Sequence, residues 1–101
     1  MKIMERHIGN VRPGKWAELE QIEKKYDAVE RQWGFPPKRR YRALYGSHSR
    51  DVHIVERGWD GMAVMEAALE KAVASSEWQA LGQELHSVLE SLQIELYQPL
   101  P

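Results

Sequence analysis

The chain has 101 residues, 43% hydrophobic and 29% charged, the length and balance of one globular domain spanning residues 1–101. It has no cysteine, which excludes disulfides, thiolate metal sites and a cysteine nucleophile and agrees with a reducing, cytoplasmic setting. No apolar run approaches the roughly 18 residues of a membrane span, no signal-peptide pattern opens the chain, and a net charge of −1 argues against a nucleic-acid partner.

Residues 3–11 alternate roughly and predict a first strand. Pro13-Gly14 ends it, and Pro suits the opening of a helix. Over residues 15–33, Trp16, Leu19, Ile22, Tyr26, Val29 and Trp33 draw one apolar stripe at helical spacing. Gly34 is placed as the residue just past that helix, where positive φ is needed, with Phe35 packing back on Val29. Pro36-Pro37 prevents continuation. Residues 39–46 and 51–57 read as two strands of a hairpin turning at 46–50. Asp60 is a plausible N-cap. Residues 61–90 carry a helical period interrupted at Ser75-Ser76, giving two consecutive helices or one bent helix. Leu92, Ile94 and Leu96 alternate with Gln93, Glu95 and Tyr97, the clearest strand pattern in the chain.

The order β-α-β-β-α(α)-β predicts an α+β, ferredoxin-like fold. Its four-stranded antiparallel sheet carries the helices on one face and leaves the other face bare. Strand parity assigns side chains to that bare face. With Met4 and Ile8 facing the helices on the first strand, Glu5 and His7 oppose them. With Val52 and Ile54 facing the helices on the third, His53, Val55 and Arg57 oppose them. The candidate ligand-binding face therefore holds His7, Tyr41, Tyr45, His53, Arg57, Glu95 and Tyr97, with Val55 and Ala43 between them. A slip of one residue inverts any of these strands.

Val11-Arg12-Pro13-Gly14-Lys15, Trp59-Asp60 at the second helix, Ser76-Glu77-Trp78 at the next and the closing Glu95-Leu96-Tyr97 before Pro99 resemble NIPSNAP-like proteins. The resemblance spans most of the chain and implies the dimeric α/β-barrel superfamily, in which two ferredoxin-like subunits pack sheet against sheet around a cavity. It implies a homodimer through the sheet. It supplies no chemistry, because fold and function separate, although cofactor-independent monooxygenases, isomerases and haem-degrading enzymes share the superfamily.

The expected function is binding of a small apolar or aromatic molecule in the sheet-face cavity. Tyr41, Tyr45 and Tyr97 would hold the rings and His7, His53 and Arg57 would supply polarity. The alternatives are a non-catalytic homodimeric assembly module and a cofactor-independent monooxygenase or isomerase, so whether the chain is an enzyme stays open. His7 and His53 form a possible acid/base pair. Arg57 and Glu95 are a substrate anchor and a base, or they pair with each other or across the dimer. No cofactor is expected. No metal is expected either, since His7, His48, His53 and His86 lack ligand spacing. Asn10, Trp78 and His86 match the haem-degrading pattern poorly, and packing is the better role for Trp78.

Charge is uneven along the chain. Residues 1–50 hold twelve Lys and Arg against six Asp and Glu, and residues 51–101 hold two against nine. A strand order 4-1-3-2 mixes most of this within a subunit. Five basic side chains in residues 38–50 remain, and they are expected to orient a partner through the acidic opposite edge at Glu90 and Glu95.

Overall fold

The computed structural model describes residues 1–46 and 51–101. Four strands and three helices follow in the order β1 (Ile3–Val11), α1 (Trp16–Gln32), β2 (Lys38–Arg42), β3 (Val52–Trp59), α2 (Met62–Val73), α3 (Ser76–Val88) and β4 (Leu89–Tyr97). The sheet runs β2-β3-β1-β4, antiparallel at every pairing. This is the ferredoxin-like α+β arrangement that the element order predicts.

The local chemistry explains most boundaries. The α1 stripe buries Leu19, Ile22, Tyr26 and Val29. The helix ends in a Schellman motif: Gly34 sits at φ +72°, its N–H donates to the Arg31 carbonyl, and the Phe35 N–H donates to that of Glu30. The Phe35 ring lies against Trp33, Trp59 and Trp78. Ser75 separates the second and third helices by accepting a hydrogen bond from the Trp78 N–H, as an N-cap does. Asp60 does not cap α2. That position falls to Gly61, with no side-chain cap, and Asp60 instead approaches Lys2 at 3.7 Å. Strand β2 stops at Arg42, short of the predicted residue 46, and β4 starts at Leu89 directly from α3. Most of the predicted hairpin turn, including His48 and Arg50, lies outside the described residues.

Two apolar clusters fill the space between helices and sheet. One joins Val11, Leu19, Ile22, Tyr26, Val29, Leu81, Val88 and Leu89. The other joins Ile3, Phe35, Trp59, Met65 and Ala72. Trp33 and Trp78 pack against both. No described helix is long and apolar enough to cross a membrane.

Strand parity corrects the predicted faces of β1 and β3. Pairing sets Ile3 opposite Trp59, Glu5 opposite Arg57, His7 opposite Val55 and Gly9 opposite His53. This row, not the one holding Met4 and Ile8, faces the helices. Its ends are the apolar Ile3 and Val11, and at Gly9 an added Cβ would meet Leu89 Cδ1 at 3.1 Å, so β4 packs where a side chain is missing. On β4, Leu92 packs against the first cluster. Ile94 and Leu96 point to the same side but are 58% and 45% exposed, because α3 covers only the start of the strand into which it runs.

Candidate functional site

The inverted parity divides the predicted site residues between two surfaces. Tyr41, Glu95 and Tyr97 line a concavity on the open face of the sheet with Arg6, Ile8, Ile54, Glu56 and Gln93. Arg6 clasps Glu56 from the adjacent strand at 2.8 Å and lies over the Tyr97 ring at 4.9 Å. The Tyr97 hydroxyl donates to Glu95. Tyr45 belongs to neither face: β2 has ended at Arg42, and Tyr45 is 98% exposed. His7, His53 and Arg57 lie on the helix side. Arg57 and Glu95 are thus on opposite faces and cannot pair within one subunit. Asn10, on the open face, bonds Ser91 through its Nδ2 at 2.6 Å and is likewise separated by the sheet from Trp78 and His86.

His7 and Arg57 instead line a pocket of about 220 Å³ between sheet and helices. Its walls are Tyr26, Phe35, Leu69, Trp78, Leu85 and Leu92, and His86 contributes from α3. The polar floor is a relay of contacts. Trp59 Nε1 donates to Glu5 Oε1 at 3.0 Å, and Glu5 Oε2 meets His7 Nε2 at 2.9 Å. Burial alone would raise the Glu5 pKa, but the hydrogen bonds from His7 and Trp59 outweigh it and hold the carboxyl below its ordinary value. An ionised carboxylate only accepts. His7 Nε2 therefore carries a proton, and in the neutral ring Nδ1 is the acceptor.

Beside this dyad lies a buried ionic network. Lys38 Nζ reaches Glu23 at 2.6 Å, Glu30 at 3.1 Å and Asp27 at 3.3 Å. Arg57 Nη2 meets Glu30 at 2.7 Å, while its Nε donates to the Pro36 carbonyl at 3.0 Å. Further along β2, Arg40 clasps Glu20 and donates through Nε to His53 Nε2 at 2.9 Å. His53 is buried beneath Trp16 and does not line the pocket with His7. Arg42 approaches Asp51 at 4.0 Å.

These contacts give part of the basic segment a role within the subunit. Lys38, Arg40 and Arg42 alternate along β2 on its helix side. The first two are matched by acidic residues of α1 at helical spacing, Glu20, Glu23, Asp27 and Glu30. Ion pairs that join the two halves also form within the subunit: Lys2 with Asp60, Arg6 with Glu56 and Lys25 with Glu84.

Glu5, Lys38, Trp78, Gly82 and His86 were outside the predicted site, and the sequence held one signal for part of it. Glu-x-His on a strand sets a carboxylate and an imidazole side by side on one face, whichever face is buried. Nothing local marks Trp59 as the partner that holds Glu5.

No family model and no curated protein matches the sequence. Solved structures do match its fold. A NIPSNAP-like domain protein from Burkholderia xenovorans superposes with a TM-score of 0.83 at 19% identity, over 98% of this chain and 85% of that one. A NIPSNAP family protein from Agrobacterium tumefaciens gives 0.79 at 18% identity, over 98% and 86%. A substituted form of SnoaB, a cofactor-independent oxygenase from Streptomyces nogalater, gives 0.69 at 15% identity, over 97% and 92%. The chain thus has the ferredoxin-like fold shared by NIPSNAP proteins and by a cofactor-independent oxygenase.

Proposed function

We propose that the chain binds a small, largely apolar molecule, best an aromatic one, in the pocket between helices and sheet, with His7 meeting its polar group. The observation that carries this reading is the His7–Glu5 pair set in an aromatic and aliphatic chamber. Apolar walls with a few convergent polar groups are the usual make-up of a small-molecule site. At about 220 Å³ the pocket is smaller than the roughly 300–1,000 Å³ of sites for drug-sized ligands, so the occupant has one or two rings. If turnover follows, His7 oriented by Glu5 is placed to accept a proton from the bound molecule. That step needs no cofactor and agrees with the fold shared with SnoaB.

Gly82 provides the test. It lines the pocket from α3, and no heavy atom lies within 4 Å of where its Cβ would sit. Gly82→Leu removes a helix-interior glycine, worth about 1 kcal/mol of stability, while filling the chamber. The variant is expected to melt higher than wild type and to bind 1-naphthol at least about tenfold more weakly, a loss of roughly 1.4 kcal/mol, read by isothermal titration calorimetry. Unchanged naphthol affinity in a folded variant overturns the reading.

The open face supports a second element of the proposal, a homodimer packed through its sheets. Tyr41 and Tyr97 are 45% and 40% exposed there, beside Ile8 and Ile54 in one concavity. Apolar area grouped in this way favours burial by a partner. Light scattering is expected to give a dimer at micromolar concentration, with Ile54→Arg dissociating it. A wild-type chain that stays monomeric at every concentration refutes the dimer without touching the pocket. A dimer whose pocket binds no small aromatic is the assembly module.

A further inference from the structure

We infer that the helix–sheet pocket selects ligands that present a hydrogen-bond donor, a neutral hydroxyl or N–H, and rejects carboxylates. The inference rests on the pocket reading above and adds the chemical class of its occupant.

The pocket has two cations on its lining, and both are already engaged. The Lys38 ammonium has three hydrogens and three carboxylates around it, at 2.6, 3.1 and 3.3 Å. Arg57 is held by Glu30 and by the Pro36 carbonyl, and its guanidinium lies over the Phe35 ring at 5.2 Å. Three carboxylates, Glu5, Glu23 and Glu30, line the pocket against these two cations. An entering anion therefore meets a net negative wall with no free cation to receive it, in surroundings where charge is poorly screened.

One acceptor stands open. Glu5 binds the Nε2 side of His7, and Nδ1 has no hydrogen bond among the described residues. No buried side-chain nitrogen there lacks a partner, so Nδ1 is accessible. His7 sits on β1, an inner strand of the sheet, and its side chain reaches space through the pocket it lines. A donor group on the ligand completes this nitrogen. A carboxylate brings only acceptors and a charge that Glu5 repels. Rotating the ring costs stability, because the buried Glu5 then loses one of its two donors and keeps only Trp59 Nε1.

The experiment compares 1-naphthol, naphthalene and 1-naphthoate on the whole chain at about pH 7.5, followed by calorimetry and by the assigned indole N–H resonance of Trp78. One neutral hydrogen bond predicts naphthol binding about fivefold tighter than naphthalene. Net negative surroundings predict naphthoate binding at least about tenfold weaker than naphthol. Glu5→Gln, which deletes the repelling charge and frees the ring, is expected to narrow the naphthol–naphthoate gap severalfold. Naphthoate binding as tightly as naphthol to the wild-type protein overturns the inference while leaving the pocket reading intact. If none of the three binds, or if binding persists undiminished in Gly82→Leu, the pocket reading fails and the inference falls with it.

Discussion

Lys38→Met is expected to destabilise the protein by about 3–5 kcal/mol, the range for removing one partner of a buried ion pair. The Lys38 side chain is 8% exposed, and those of Glu23 and Glu30 are 6% and 10%. Removing the ammonium leaves two carboxylates with little access to water, although Arg57 still holds Glu30 and Arg40 stands 3.9 Å from Glu23. Against the roughly 5–15 kcal/mol by which domains are stable, this is a large fraction. Urea unfolding at neutral pH measures it. Lys25→Met is the control, because the Lys25–Glu84 pair at 2.8 Å is half exposed and such pairs contribute about 0–1 kcal/mol.

The pH dependence of the same variant separates an electrostatic loss from a packing loss. Burial lowers the Lys38 pKa, but Glu23 and Glu30 outweigh it and the folded value lies above the ordinary one. A raised lysine contributes stability in full below the unfolded pKa of about 10.4 and loses it as pH rises through the folded value. The wild-type protein should therefore weaken on that alkaline limb, and Lys38→Met should lack this part of the slope. At the acid end the deficit of the variant should narrow, since protonation removes the uncompensated buried charge. A loss below about 1 kcal/mol, or a deficit constant from acid to alkali, rules out the network as a principal support of β2.

How much of this was legible in the sequence depended on the range of the interaction. The α1 stripe, Gly34 past its end and the alternation of Leu92, Ile94 and Leu96 are set by neighbours a few residues apart, and all appear in the fold. The faces of β1 and β3 were misread for one physical reason. Hydrophobicity favoured Met4, Ile8 and Ile54 as core, but the helix side buries Glu5, His53 and Arg57 and half-buries His7. A polar side chain enters a core when its partners are already there. Those partners are Trp59 for Glu5, Glu30 for Arg57 and Arg40 for His53, the first of them 54 residues away. Two strands inverted together keep their mutual register, so the β1–β3 pairing gave no internal warning. As a consequence the predicted site residues part, with His7 and Arg57 on the helix side and Tyr41, Glu95 and Tyr97 on the open face. The contacts of β2 follow the same logic, because acidic α1 and basic β2 lie close along the chain and pack together.

His53 carries the second large effect, and its sign is opposite to that of Lys38. The imidazole accepts from Arg40 Nε at 2.9 Å, so it is neutral in the folded protein, with its proton on Nδ1. Burial, then the Arg40 guanidinium, push its pKa down to about 4; Lys38 and His7 act in the same direction and Glu20 opposes them. The unfolded chain takes up this proton near pH 6.5, the folded one only near pH 4. Between those values the unfolded state binds more protons, so stability falls as pH falls. The expected loss is about 2 kcal/mol by pH 5 and about 3 kcal/mol by pH 4. Glu5 and Glu20 have lowered pKa values, so their contributions are present above about pH 4.5 and are lost below it. The limb between pH 6.5 and 5 therefore belongs mainly to His53. Urea midpoints through that interval should decline in the wild-type protein and stay nearly flat in His53→Gln, whose amide oxygen can still accept from Arg40. A wild-type protein equally stable at pH 6.5 and pH 5 contradicts a neutral, buried His53. Protonation sets an imidazolium against Arg40, which also clasps Glu20 of α1. Acid should thus loosen β2 before the rest of the sheet, with the amides of residues 38–42 losing hydrogen-exchange protection while those of β1, paired on both sides, keep theirs.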